Sequence, residues 1–247
     1  MSVRITAIAD ALVEAHRAGL PLAGRGEAPA SVAEAYRIQQ HVIDRLGFGA
    51  RPVAWKVSPP AAAAEMLASP VPAAPWRSPA TLATASRAIL GIEAEIAFRF
   101  AATPPVGATL ADVRAAVDEM VVLVELCETR LADWAHAPAL WKLADFQSHG
   151  AFVVGGGTRE LARDFGMQRV EIEIGGRAGT TAVGSHPTGR LWEMLVWAVG
   201  HCAGRGMPLQ AGDLVTTGSW NGLAPLQRGE EALVRFPGIG EARLAIS

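Results

Sequence analysis

Apolar positions early in the chain recur with helical spacing. Ala35, Ile38, Val42, Ile43 and Leu46 form one stripe, opened by Ser31 with Glu34 three residues later and closed at Gly47. Ile5, Ile8 and Leu12 form a weaker stripe before Gly19. Residues 52–57 (PVAWKV) read as a strand carrying Lys56. Residues 58–88 are rich in proline, alanine and serine; their prolines forbid a long regular element and predict a mobile, lid-like connection. From Gly91 the period changes to two, with Ile92, Ala94, Ile96 and Phe98 alternating with Glu93, Glu95 and Arg99. A helix is expected over 109–120 with Leu110, Val113 and Val117 inward, leading into the apolar run VVLVELC. Strands are expected at 151–156, 169–176 and 179–183, with Gly155–Gly157 read as a turn. A helix is expected from near His186-Pro187 to Gly204 or Gly206, and short strands at 212–219, 231–236 and 241–247. Helices first and strands afterwards give an α+β protein. The expected parts are a helical N-terminal part (1–80) holding the lysine strand and the flexible segment, and a β-rich catalytic core (81–247), either separate or as one continuous domain.

Composition narrows the partners. The chain has 247 residues, half of them hydrophobic, enough for a substantial core. Lysine plus arginine number 22 against 24 acidic residues, so no overall positive field attracts nucleic acid. No run spans a bilayer, and Asp10 and Glu14 interrupt what a secretory signal would need to be apolar, so a cytoplasmic protein is expected. Cys127 and Cys202 are too few for a disulfide framework and form no C-x-x-C pair. Only Lys56 and Lys142 among the basic residues are lysines, the side chain that can give up its proton.

Glu93 and Glu95, two apart on a strand, leave the same face. They are either a solvated face paired with arginines or part of a cation site. Glu125 sits inside VVLVELC, where an unpaired carboxylate costs several kcal/mol, so it needs a partner. That partner is either an arginine such as Arg130 or a cation shared with the E-x-E pair. All-oxygen ligands suit a hard divalent ion, magnesium by preference. Lys56, between Trp55 and Val57, is either a snorkelling strand-end lysine or a base whose pKa is lowered by desolvation and a nearby cation. Asp145, Ser148 and His149 in KLADFQSHGAF could line such a site, although a lone histidine is more often a hydrogen-bonded core residue. Lys142 reads as structural or as lying behind the site, and His186 as a helix-start residue. No nucleophile elbow, Walker loop or dinucleotide fingerprint is present.

The runs GIEAEIAF, VELCETRLADW and LADFQSHGAFVVGG, with AEAYRIQQ, SHPTGRLWEMLVWA and MPLQAGDLVTTGSWNGLAPLQRGE, resemble the 2-keto-4-pentenoate hydratase and 4-oxalocrotonate decarboxylase family of the fumarylacetoacetate hydrolase superfamily, over about residues 30–247. The resemblance implies a mixed β-roll core behind a smaller helical part, usually in a homo-oligomer. It places metal ligands at Glu93, Glu95 and Glu125, binding Mg2+ or Mn2+, and the acid/base lysine at Lys56. Asp145 and Ser148 would orient substrate or water; Gly218, Ser219 and Trp76 would contact substrate, with Trp220 and Asn221 making the pocket bulky. The implied activity is that of a metal-dependent lyase acting on a small 2-keto acid through an enolate, with hydration of a 2-hydroxy-2,4-dienoate the leading reading. The alternatives are decarboxylation of an oxalocrotonate-like acid, acylpyruvase-type C–C hydrolysis, or, in another class, a non-catalytic partner subunit. Three departures stand out: Lys56 is followed by VSPPA where the family runs K-x-G-L-T, Phe146 replaces the Asn of A-D-N-x-S-x-G, and the stretch APWRSPATL lacks the acid that the family's loop carries.

Overall fold

The computed structural model describes residues 3–22, 24, 26–47, 51–59, 65–71, 73–83 and 88–247. Two helices open it. Helix α1 (Val3–Ala18) buries Ile5, Ile8, Leu12 and Val13. Helix α2 (Val32–Leu46) buries Ala35, Ile38, Val42 and Ile43; the Ser31 hydroxyl accepts the Glu34 amide at its start, and Gly47 closes it at φ 68°. These faces meet each other, Trp141 and Phe146 in one apolar cluster.

The strands that follow are β1 (Ala54–Ser58), β2 (Leu67–Pro70), β3 (Trp76–Arg77), β4 (Ala80–Leu82) and β5 (Ile89–Phe100). The described parts of the proline-rich stretch thus form three short strands, because short extended pieces tolerate proline where a long element does not. Residues 60–64 and 84–87 lie outside the described residues. Helix α3 (Leu110–Ala116) carries a Thr109–Asp112 capping box, but it ends four residues before the expected Met120. Strand β6 (Val117–Glu128) starts there, since its β-branched run pairs with β5 from Val117 onward.

After α4 (Ala139–Ala144) come β7 (His149–Thr158), β8 (Arg169–Ile174), β9 (Arg177–Val183), α5 (Leu191–Gly204), β10 (Leu214–Thr216), β11 (Glu231–Phe236) and β12 (Gly240–Ile246). One sheet has the order β2-β1-β10-β5-β6-β7-β3 and the other β4-β12-β11-β8-β9. Most pairs are antiparallel, while β1–β10, β3–β7 and β4–β12 are parallel, so both sheets are mixed. Gly155–Gly157 lie within β7 rather than in a turn. A Cβ on Gly155 would stand 2.1 Å from the Glu241 carbonyl oxygen, so the glycine lets β12 cross β7 closely. Between the sheets and α5 lies the main core, which includes Ile92, Ala94, Ile96, Phe98, Trp192 and Phe236. It takes the face of β5 opposite to Glu93 and Glu95.

Candidate active site

Period-two alternation and register bring the ionisable groups together. Glu93 on β5 is directly opposite Glu125 on β6. Lys56 on β1 is level with Thr216 on β10, which is opposite Ala97 on β5. Since side chains of paired residues share a face, Lys56, Glu93, Glu95 and Glu125 converge on one side of the sheet.

The Lys56 ammonium forms an ion pair with Glu125 Oε2 at 2.8 Å and donates to Glu93 Oε2 and to the Gln147 carbonyl oxygen, each at 3.2 Å. Glu125 Oε1 lies 3.0 Å from His149 Nδ1. Burial, with the charges of Lys56 and Arg130, holds His149 well below the ordinary histidine pKa, so a neutral imidazole donates from Nδ1 to this carboxylate. Glu95 accepts the Gly218 amide on Oε2 at 3.1 Å, while its Oε1 is buried without a hydrogen-bond partner among the described residues. Gly218 has φ 101°, and a Cβ there would meet Pro59 Cδ at 2.7 Å, so only glycine brings this amide to Glu95.

Crowding of buried carboxylates shapes the electrostatics. Burial and the Glu125 charge push Glu95 up to about 8. Burial and the Glu93 charge push Glu125 up to about 7 even with Lys56 beside it. Burial opposes the Lys56 ammonium, but Glu125 and Glu93 outweigh it and hold its pKa well above the ordinary value. The lysine is therefore not lowered by its protein surroundings alone; these carboxylates favour the charged form.

The cluster forms the floor of a cavity of about 750 Å³, whose lining includes Lys56, Glu93, Glu95, Cys127, Ser148 and Gly218, with Glu125 directly beneath. A divalent cation fits these groups. One oxygen from each of Glu93 and Glu125, with Cys127 Sγ, lie within 4.8 Å of one another. Glu95 is not one of those three, but it brings an unpartnered oxygen to the same cavity.

The Fumarylacetoacetate (FAA) hydrolase C-terminal profile matches residues 32–247. The chain belongs to that family. Over 135 residues it is 27% identical to the 2-hydroxyhexa-2,4-dienoate hydratase of Comamonas testosteroni, covering 54% of this chain and 51% of the relative. Over 133 residues it is 28% identical to 2-keto-4-pentenoate hydratase 2 of Dechloromonas aromatica (strain RCB), covering 53% and 50%. These matches span about half the length of the curated relatives. Among solved structures, 4-oxalocrotonate decarboxylase from Pseudomonas putida G7, complexed with magnesium and adipate, superposes with a TM-score of 0.80 at 21% identity, covering 99% of this chain and 97% of that one. A 2-hydroxyhepta-2,4-diene-1,7-dioate isomerase from Mycobacterium marinum superposes with a TM-score of 0.61 at 16% identity over 79% and 74%. At these identities the likeness shows the fold.

Within this FAA hydrolase fold some expected site residues fall elsewhere. Asp145 is fully buried and does not line the cavity: it forms an ion pair with Arg130 and also accepts the Arg130 amide at 2.9 Å and the Thr129 hydroxyl at 3.2 Å. Arg130 in turn donates to the carbonyl oxygens of His149 and Asp145. The pair clamps the turn Phe146–Ser148, three consecutive residues at φ 52°, 55° and 61°. That turn aims the Gln147 carbonyl at Lys56. Arg130 is thus the partner of Asp145, not of Glu125. Trp76 is 55% exposed on β3 and lines a separate depression with Arg77, Arg99 and Glu119, because β3 pairs at the outer edge of β7.

Ser148 does line the cavity, and its hydroxyl accepts Trp134 Nε1 at 2.7 Å. The Gly218 amide is engaged by Glu95, and the Ser219 hydroxyl bonds within its own turn to Asn221 and Gly222; both residues remain in the lining. His186 is buried, and its Nδ1 accepts the Gly189 amide at 3.1 Å ahead of α5. Lys142, expected behind the site, reaches the cavity wall with Nζ 4.3 Å from the Trp134 ring centroid. Gln147 was not legible as a site residue. Cys127 was legible in principle, being two positions after Glu125 on the same strand face.

Proposed function

We propose that this chain is a divalent-metal-dependent lyase acting on a small 2-keto acid in its enol form, and that it adds water to a 2-hydroxy-2,4-dienoate to give a 4-hydroxy-2-keto acid. One observation carries this: three carboxylates from two paired strands converge with a buried lysine under one cavity. Glu93, Glu95 and Glu125 would hold Mg2+ or Mn2+, which when bound supplies Lewis-acid stabilisation of negative charge on the substrate's 2-oxygen. Lys56 Nζ holds the proton that is placed on or taken from the substrate carbon chain. The Gln147 carbonyl and the clamped turn fix that ammonium, while His149 fixes Glu125. Ser148 offers a hydroxyl to substrate or water, and Leu90, Leu143 and Trp220 give the cavity apolar walls that exclude bulk water. The relatives named as hydratases support the reaction type.

A second reading, decarboxylation of a 2-keto diacid, is favoured by Lys142. Its half-buried ammonium lines the cavity over Trp134, and no carboxylate pairs with it among the described residues, so it suits a second carboxylate at the substrate's far end. Purified protein with Mn2+ separates the two readings. Consumption of 2-hydroxypenta-2,4-dienoate with incorporation of solvent oxygen supports hydration. Carbon dioxide release from 2-oxo-3-hexenedioate supports decarboxylation, and neither activity in a chain that binds manganese supports a partner-subunit role. The same reading expects a homo-oligomer working in the cytoplasm, which size-exclusion with light scattering and fractionation would check.

A further inference from the structure

Cys127 stands among the carboxylates, yet the chemistry above gives it no task. It lies two residues after Glu125 on β6, on the same face. Glu125 is opposite Glu93, whereas Cys127 is opposite Gly91, which has no side chain. Gly91 is glycine for its own reason: a Cβ there would stand 2.2 Å from the Ala224 carbonyl oxygen. Cys127 is itself part of the cavity wall.

The distances match one centre. Donor atoms held about 2.0–2.4 Å from a common cation lie at most about 4.8 Å apart. Cys127 Sγ and one oxygen each from Glu93 and Glu125 lie within 4.8 Å of one another. Independently, Glu95 belongs to the same cavity lining, and its Oε1 is buried and unpartnered among the described residues. Magnesium has little use for sulfur, whereas zinc, cobalt and cadmium bind thiolates well. Cys202, the other cysteine, is buried on the core face of α5 and lines no part of this cavity.

We propose that Cys127 is a ligand in its own right, which makes the centre a mixed carboxylate–thiolate site selecting a borderline or soft divalent cation over magnesium. This rests on the reading of Glu93, Glu95 and Glu125 as metal ligands. The bond forms between Sγ and the cation as the thiol proton passes to solvent, with no change of oxidation state. The site then differs in kind from an all-oxygen one: its cation is held more tightly and is less easily exchanged by excess magnesium.

Cadmium chloride is the probe, titrated into the metal-free full chain while the ultraviolet thiolate-to-cadmium charge-transfer band is followed. The wild type and Cys202→Ala should develop the band to saturation at one equivalent. Cys127→Val and Cys127→Ser should lack it and bind cadmium at least about tenfold more weakly, with manganese affinity within about threefold of wild type by calorimetry. Retained manganese binding shows that the variants are folded. A wild type without the band, in which cadmium nevertheless displaces manganese, overturns the thiolate ligand and leaves the carboxylate reading standing. A band that survives Cys127→Val also overturns it. A wild type that binds neither cadmium nor manganese sinks the carboxylate reading itself.

Discussion

Replacing Glu125 with glutamine tests the proposed centre with little steric change. The side chain is fully buried, holds Lys56 at 2.8 Å through one oxygen and His149 at 3.0 Å through the other. Glutamine keeps the length and an oxygen that can still accept from His149, while Lys56 retains Glu93 and the Gln147 carbonyl. The metal-free fold should therefore survive. A unit charge about 4 Å from another contributes about 4 kcal/mol at an effective dielectric of 20, and more against a doubly charged ion. Part of that is offset because Glu125 titrates at about 7 and must lose its proton first. A net loss of about 4 kcal/mol corresponds to roughly a thousandfold weaker cation binding. The assay is calorimetric titration with Mn2+ at pH 8, where the wild-type carboxylate is mostly ionised, repeated at pH 7 in buffers of different ionisation enthalpy. At pH 7 the wild type should release protons on binding and Glu125→Gln should release fewer. A dissociation constant within about threefold of wild type at pH 8 would refute the assignment of Glu125 to the centre.

Four further outcomes are expected. Lys56→Ala should keep or strengthen manganese binding, because it removes a competing cation, yet stop exchange of the substrate's C3 proton; retained exchange by NMR would remove Lys56 from the chemistry. Asp145→Asn should destabilise the fold by about 3–5 kcal/mol, since it strands the buried Arg130 charge, and urea midpoints would show it; an unchanged midpoint would contradict the clamp. Trp76→Ala should leave kcat and KM near wild type, because the side chain lies off the cavity, so a large loss of rate would contradict that placement. Metal-free stability should be greatest near pH 6 and fall on both sides. Glu95 and Glu125 are raised to about 8 and 7, so the folded state holds protons that the unfolded chain lacks between about pH 4.5 and 8; the histidines offset this below about pH 6.5, and above it stability falls as pH rises. His16 and His201, lowered mainly by burial to about 3 and 4, make stability fall as pH drops below about 6.5. Saturating manganese should flatten the alkaline side alone; thermal melts from pH 4.5 to 9 with and without the ion would decide.

How much of this was legible in the sequence follows the range over which each cause acts. Local rules held where one element decides its own shape: Ser31 and Gly47 bound α2, and the alternation of Ile92 through Phe98 set β5 and its core face. The same alternation put Glu93 and Glu95 together, and burial of Glu125 in an apolar run required a partner. Its identity was not local. Lys56 and His149, rather than Arg130, meet Glu125 because β1 enters the sheet through β10 and β7 pairs with β6, and neither register is written in residues 54–58 or 149–158 alone. Helix α3 ended early for a similar reason: Val117 fits a helical stripe, but pairing with β5 gives its β-branched run more to pack against. Asp145 and Trp76 were misplaced because residue type signals chemistry while topology decides which way it faces. An aspartate beside a serine and a histidine looks catalytic until Arg130, fifteen residues upstream, takes both its oxygens. The turn it clamps is left-handed at three non-glycine residues, a conformation no sequence pattern announces, and it is this turn that delivers the Gln147 carbonyl to Lys56. Asp145 thus bears on the lysine without touching the cavity. A buried ion pair costs desolvation and adds little to net stability; here it fixes the backbone on which the acid/base group depends.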